Sequence, residues 1–469
     1  MSIQPDILVF MSDQHNATIL SHVGDKWVNT PNLDKIAAAG MVCEQAYTSF
    51  PLCVPSRMSM LTGQLPSKTG IMTNNGVISS GQATFAHSLA AEGYETVLCG
   101  RMHFLGPDQF HGFTKRLVGD FTPCFHGRYG ECRADLGPYV GTPAFHFYRH
   151  YGGGTSPVLE YDRAVVDAAI DYLSQPHDKP IFMMVGTYGP HHTFVAPTDL
   201  YEKYKKILPP PDSDAKDVFE VHPAVEWIKR DFDAEMRHCL RAAYYGLVEH
   251  IDIQVGRVYD AWKEYLKRNK HKGTFAYVSD HGEQAGEKDL WGKMSFYETS
   301  SKIPMIFEGY GFEDKNISMP CSIMDLGPTL CEIAGAVKPP DQDGISLVDV
   351  ENDTERFVLS EIYARGKPAR MIRYKHWKYV SYATMEQDDQ LFYLDSDPME
   401  YNNVINEFPV IAEDLRLKLV KDWNVKDIIE TQEKWQRHWK VLSAWGEKVD
   451  VPEPYRWEIP ESAWRLPKR

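Results

Sequence analysis

The chain has 469 residues, with 65 acidic and 50 basic side chains and eight cysteines. A net charge of −15 argues against an electrostatic grip on nucleic acid or on an anionic membrane, while leaving room for a local basic pocket. No run approaches the ~20 apolar residues of a membrane span, and 43% hydrophobic residues are enough for a sizeable core. Residues Met1 to Asp6 lack the basic and apolar regions of a secretory signal. The cysteines form no CxxC pair and read as reduced thiols of a cytoplasmic protein, with one exception argued below.

In chain order, Ile7–Met11 is a continuous apolar run that suits a strand buried on both faces. A helix is expected over Asn32–Ala39, with Thr30 as N-cap, Pro31 at the first position and Gly40 closing it. The alternation recurs: helix Thr84–Ala91 and strand Thr96–Cys99, then helix Tyr161–Leu173 and strand Ile181–Val185. Pro209-Pro210-Pro211 opens a polar, acidic loop, and Asp233–Lys267 reads as one long helix before strands Thr274–Ser279 and Ile303–Phe307. Such alternation predicts an α/β fold with a large, mostly parallel sheet flanked by helices. After about residue 350 the pattern changes. Arg356–Tyr363, Ala369–Tyr382 and Gln390–Leu394 are aromatic and β-branched runs with short turns, an appended antiparallel sheet. Residues 411–469 give a helical stretch and a Trp- and Pro-rich tail, expected to pack along the body or onto a neighbouring subunit in a homo-oligomer. The expected division is a catalytic domain over 1–352 and a smaller domain over 353–469.

Ligand-handling residues of open α/β sheets gather beyond the carboxyl ends of the strands. Asp13 follows the first strand, and Asp280 with His281 follows the strand at 274–279, a donor set suited to a hard cation or to plain loop capping. Cys53 stands just ahead of a short helix with Arg57 one turn along. A helix N-terminus and a guanidinium both favour an anion there, so Cys53 reads either as a reactive low-pKa thiol or as a buried structural cysteine.

Cys53-Val54-Pro55-Ser56-Arg57 followed by Leu61-Thr62-Gly63 resembles the signature of the type I sulfatases of the alkaline phosphatase superfamily. Thr30-Pro31-Asn32-Leu33-Asp34, Asp280-His281-Gly282, Gly292-Lys293-Met294, Ser300-Ser301-Lys302-Ile303-Pro304, Leu391–Asp395 and Asp397-Pro398-Met399-Glu400 follow in family order, so the resemblance spans about residues 5–405. Met102–Gln109 and His111-Gly112-Phe113 are similar to the choline sulfatases in particular.

The resemblance implies a sulfuric ester hydrolase in which a maturation enzyme converts Cys53 to formylglycine. It implies that Asp13, Asp280, His281 and modified Cys53 bind one divalent cation; carboxylate-rich ligation suits Ca²⁺, and His281 leaves Mg²⁺ or Mn²⁺ open. Gln14 occupies the place of a second aspartate. Arg57 would orient formylglycine, Arg101 and His103 take the place of a Lys-x-His pair, and Lys293 would hold a sulfate oxygen. His191 would be the acid that protonates the departing alcohol, with His192 as its neighbouring alternative and Thr193 replacing a family proline. Asn75 matches a sulfate-binding amide, with Asn74 as its alternative. The substrate is expected to be a small sulfate monoester: choline sulfate, a sulfated sugar or an aryl sulfate. An ammonium group would want an aromatic cage; Phe121–Tyr129 offers Phe125 and Tyr129 but no tryptophan. A phosphonate monoester or phosphodiester hydrolase, and an unmodified binding protein, are the competing readings.

Overall fold

Apolar runs that lie between two helical layers have no wet face, and β1 (Asp6–Asp13) is buried along its whole length. The computed structural model describes residues 4–127, 148, 150–209, 221–312, 316–348, 350, 351, 353, 355–383, 385, 388–449 and 451–458. Tyr129, Cys132, Pro210, Pro211 and Trp464 lie outside the described residues.

The strands that follow are β2 (Met41–Tyr47), β3 (Glu95–Gly100), β4 (Lys115–Arg116), β5 (Tyr151–Gly153), β6 (Ile181–Pro190), β7 (Phe194–Ala196), β8 (Gly273–Ser279), β9 (Met305–Gly309) and β10 (Ile317–Ser322). Seven of them join β1 in one sheet in the order β10-β2-β9-β8-β1-β6-β3-β4. Its pairings are parallel except those of β9, which runs antiparallel to both β2 and β8. The strand expected at Ile303–Phe307 is thus shifted by two residues and is the reversed member of the sheet. β2 and β10 escaped sequence reading: charged or polar Glu44 and Gln45 break the apolar run in β2, and Pro320 sits inside β10. β5 and β7 pair separately, in parallel.

Alternation along β1 divides the core. Ile7, Val9 and Met11 face helices Cys53–Thr62, Phe85–Ala91 and Leu326–Ala334. Leu8 and Phe10 face helices Pro157–Ser174 and Ala234–Asn269. Capping explains where several helices begin. Thr84 and His87 form a reciprocal capping box, and the side chains of Ser156 and Asp233 accept the amides of Leu159 and Met236. Thr30 precedes helix Pro31–Ala39 without capping it; its hydroxyl is engaged by the Ser21 amide at 3.0 Å.

The C-terminal sheet is an antiparallel meander of β11 (Phe357–Ala364), β12 (Lys367–Tyr374), β13 (Trp377–Tyr382) and β14 (Gln390–Tyr393). The single run expected at Ala369–Tyr382 is therefore two strands, turned at Lys375, whose φ of 50° places it in the left-handed region. Helices Pro409–Val420 and Val425–Lys448 follow. Among the described residues no helix is long and apolar enough to cross a membrane.

Gly40 joins helix Pro31–Ala39 to β2 where a Cβ would lie 2.0 Å from the Phe307 carbonyl oxygen of β9. Gly40→Ala is expected to lose at least about 2 kcal/mol in urea unfolding, because backbone cannot yield as a side chain does. At Gly93 nothing lies within 4 Å but φ is +102°, so Gly93→Ala should lose only about 1 kcal/mol, for conformation alone.

Candidate active site

The strand order delivers the site. β8, β1, β6 and β3 lie side by side and parallel. Their carboxyl ends carry Asp280 with His281, then Asp13, then His191, then Arg101 with His103. Helix Cys53–Thr62 points its N-terminus at the same edge, and every residue of it is buried. Cys53 is the first helical residue rather than the residue ahead of the helix. Pro55 is tolerated in the first turn, where amides lack intrahelical partners, and the Asn74 side-chain oxygen accepts the Val54 amide at 3.0 Å. The Ser56 hydroxyl donates to the Asp280 carbonyl at 2.7 Å, tying helix to strand end.

Beneath Cys53 lies a chain of fully buried charges. Asp280 Oδ2 accepts Arg57 Nε at 2.8 Å, and Asp13 Oδ2 accepts both Arg57 Nη2 at 3.0 Å and Arg101 Nε at 2.7 Å. Arg101 Nη1 continues to Asp120 Oδ1 at 3.2 Å, and the Arg101 guanidinium stacks 4.5 Å above the Tyr188 ring. Burial alone would raise the pKa of Asp13, but Arg101, His191, Arg57 and Lys293 outweigh it and hold the carboxyl well below its usual range.

Above this chain, the Cys53 Sγ lies 3.3 Å from His281 Nε2, 3.0 Å from Lys293 Nζ and 3.6 Å from Asp13 Oδ1. Because a carbonyl can only accept, the contact of His281 Nδ1 with Gly282 O at 3.0 Å places the ring proton on Nδ1 and leaves the Nε2 lone pair facing Cys53. Burial lowers the pKa of His281 to about 4. One donor atom each from Asp13, Cys53, Asp280 and His281 lie within 4.8 Å of one another, a set able to hold a metal ion. Gln14, in the left-handed region at φ 69°, accepts Lys293 Nζ at 2.7 Å through Oε1 and donates to Glu283 through Nε2.

The His191 and His192 rings lie against one another at a 39° tilt with centroids 3.7 Å apart, and His191 Nε2 lies 3.9 Å from Asp13 Oδ1. His191 Nδ1 donates to the His192 carbonyl at 2.8 Å. Burial, each other's proximity and Lys293 hold His191 well below the usual histidine range. His103 accepts Arg101 Nη2 on Nδ1 at 2.9 Å, which puts the proton of the neutral ring on Nε2. Burial and then Arg101 lower its pKa.

These groups open into a cavity of about 360 Å³. Asn74 and Asn75 both line it, as do Arg101, His103, His191 and Lys293. Its apolar wall comes from Phe125 together with Tyr148, Trp227 and Trp291, and among the described residues no carboxylate lines it. Among the described residues, Tyr148, Trp227 and Trp291 of this wall lie outside the 121–129 segment and Phe125 lies within it. Glu283, Asp120, Trp227 and Trp291 were missed. Glu283 directly follows Asp280-His281-Gly282 and could have been read with it; the others carry no local signal. All seven described cysteines are free and buried, so none is a surface thiol.

Residues 5–336 match the Sulfatase family, and residues 286–424 match the C-terminal family of N-sulphoglucosamine sulphohydrolase. A choline-sulfatase of Rhizobium meliloti is 33% identical over 86% of this chain and 82% of its own length. The fold is also that of the phosphonate monoester hydrolase of Agrobacterium radiobacter, with a TM-score of 0.71 and 22% identity over 88% of this chain and 94% of that one. A protein solved in complex with its substrate D-glucosamine-2-N,6-O-disulfate gives a TM-score of 0.71 at 19% identity, covering 93% and 98% of the two chains.

Arg57→Met would leave Asp13 and Asp280 buried and short of a partner, and it should cost about 3–5 kcal/mol in urea unfolding. Arg57→Lys should recover only part of this. One ammonium cannot reproduce donors aimed separately at Asp280, Asp13 and the Arg101 carbonyl.

Proposed function

The chain belongs to the sulfatase family and hydrolyses sulfate esters, and from that premise we propose that it works through Cys53 oxidised to formylglycine, beside one divalent cation. The observation that carries the reading is the convergence of Asp13, His281 and Lys293 on the Cys53 sulfur at the floor of the cavity. Hydrated formylglycine would supply two hydroxyls on one carbon, one to attack sulfur and one to expel sulfate as the aldehyde reforms.

The donor set fits a divalent cation. The Arg57 and Arg101 contacts engage the Oδ2 atoms of Asp13 and Asp280, while Asp13 Oδ1 faces Cys53, His191 and His281 at 3.6–3.9 Å. The His281 Nε2 lone pair faces the same point. Asp13, Asp280, His281 and modified Cys53 would hold the ion, Ca²⁺ in our reading with Mg²⁺ and Mn²⁺ as alternatives, and it would supply positive charge to a sulfate oxygen.

The chain's own residues do the rest. Lys293 Nζ, already on Cys53, binds a sulfate oxygen, and Asn75 or Asn74 donates an amide to another. Arg57 and Arg101 hold Asp13 in place and add charge compensation around the reacting group. His191, with Nδ1 fixed on the His192 carbonyl, would protonate the leaving alcohol from Nε2 in its cationic form, a strong acid held in small fraction at neutral pH by its depressed pKa. The 360 Å³ cavity suits one small sulfate monoester — a sulfated sugar, choline sulfate or an aryl sulfate — with its organic part on the aromatic wall.

Mass spectrometry of the Cys53 peptide from the native host should show formylglycine, and Cys53→Ser, which lacks the second hydroxyl, should lose multiple turnover on 4-nitrophenyl sulfate. A homogeneous thiol in the native protein would refute the formylglycine reading. A much higher kcat/KM on a phosphonate monoester than on any sulfate ester would move the chain's main activity to phosphonate hydrolysis.

Chelation should abolish activity, and add-back of Ca²⁺, Mg²⁺ or Mn²⁺ in turn should identify the ion. Because burial depresses His281 from 6.5 to about 4, its neutral, ligating form persists as pH falls until about pH 4. Cation affinity should therefore hold down to that range and then collapse, and His281→Ala should weaken it above that range and make little difference below it.

A further inference from the structure

Asp120 lies outside every motif discussed so far, and its carboxylate is 1% exposed. Oδ1 accepts Arg101 Nη1 at 3.2 Å, together with the Thr122 amide at 3.1 Å and hydroxyl at 2.9 Å. Oδ2 accepts the His103 amide at 2.7 Å and the Met102 amide at 3.2 Å. One carboxylate thus grips both the side chain of Arg101 and the backbone that presents His103. That backbone needs a grip: His103 sits at φ 62°, a conformation that non-glycine residues seldom hold without support. Arg101 is in turn stretched between two buried carboxylates, Asp13 on Nε and Asp120 on Nη1.

What holds Asp120 comes from the far end of the chain. Its amide donates to the Tyr455 carbonyl and its carbonyl accepts the Trp457 amide, each at 2.8 Å, a parallel bridge around Arg456. The Trp457 ring packs on Tyr161 and Phe121, with centroids 5.2 and 6.1 Å apart, and Glu453 Oε1 accepts the Cys124 amide at 2.5 Å. Gly119 lets the strands meet: a Cβ there would stand 2.0 Å from the Tyr455 carbonyl oxygen. Beyond the bridge, Trp445 of helix Val425–Lys448 backs Phe125 at 6.4 Å, and Phe125 lines the cavity.

We infer that Asp120 is a positioning residue for Arg101 and His103, and that the C-terminal segment 453–457 is a clasp that holds Asp120 in place. The clasp follows from the geometry alone; only its effect on turnover rests on the proposed sulfatase chemistry. Its hydrogen bonds run between main chains and ask of the sequence only the glycine at 119 that lets the two backbones approach, and they fix the backbone of a residue whose buried carboxylate holds both Arg101 and the His103 amide.

The test uses the full-length protein with formylglycine verified, and compares wild type with Gly119→Ala, Trp457→Ala, Asp120→Asn, Arg101→Gln and the pair Asp120→Asn/Arg101→Gln. Hydrogen exchange reports the clasp without need of activity. The Met102 and His103 amides should exchange faster in Gly119→Ala and in Trp457→Ala, while amides of helix Cys53–Thr62 keep their protection. Unchanged exchange at 102–103 in both variants would overturn the clasp. For turnover of 4-nitrophenyl sulfate, Asp120→Asn should lower kcat by about 10- to 100-fold with a smaller change in KM, and it should cost less in the Arg101→Gln background than alone, the remainder acting through the His103 backbone. Losses that multiply in the pair would show that Asp120 does not act through Arg101. A wild type with no sulfate ester turnover refutes the sulfatase mechanism, and the exchange data then decide the clasp by themselves.

Discussion

The site depends on one buried chain of charges, Asp280–Arg57–Asp13–Arg101–Asp120, laid across the carboxyl edge of the main sheet. Charges removed from water are tolerable only when each finds a partner in good geometry. That requirement sets the positions of three strand ends, a helix N-terminus and the segment that carries Asp120 against one another. Asp13 is the shared member: Oδ2 takes two guanidinium groups, so Oδ1 is left facing Cys53, His191 and His281. The carboxylate oxygen aimed at the reacting centre is thus chosen by the arginines on the opposite side.

Close backbone approach lets these elements meet. Gly282, next to His281, sits where a Cβ would be 2.1 Å from the Thr299 carbonyl oxygen, and Gly186 in β6 sits where one would be 2.0 Å from the Arg101 carbonyl oxygen. A glycine at each point allows the Asp280-His281 turn and the Arg101 turn to press onto their neighbours. Some family motifs serve this frame and not the chemistry. Glu400 accepts Lys378 Nζ and the Glu298 amide, each at 2.7 Å, joining the C-terminal sheet to the main body. Asn32 and Leu33 donate their amides to Asp252 in the long helix at 3.2 and 2.8 Å.

The charged floor of the cavity and its aromatic wall have separate origins. The floor comes from strand ends and one helix. The aromatic wall comes from Phe125, Tyr148, Trp227 and Trp291, which lie on segments between the strands of the main sheet.

Sequence alone determined what is local. Alternating apolar runs marked the helices and the inner strands, because burial on a face imposes a period along the chain. Asp13, Asp280, His281, Cys53 and Arg57 stand at strand ends and a helix start, but that placement alone left loop capping and a structural cysteine open; the ordered motifs of the family resemblance singled them out. Which residues touch was decided only by the tertiary structure. The reversal of β9, the division of 369–382 into two strands, Asn74 on the Val54 amide and Glu283 on Gln14 all rest on partners that sequence spacing does not reveal. The bridge from Asp120 to the chain's far end is the extreme case. Main-chain hydrogen bonds need no particular side chain, so a contact built from them leaves no sequence pattern to read.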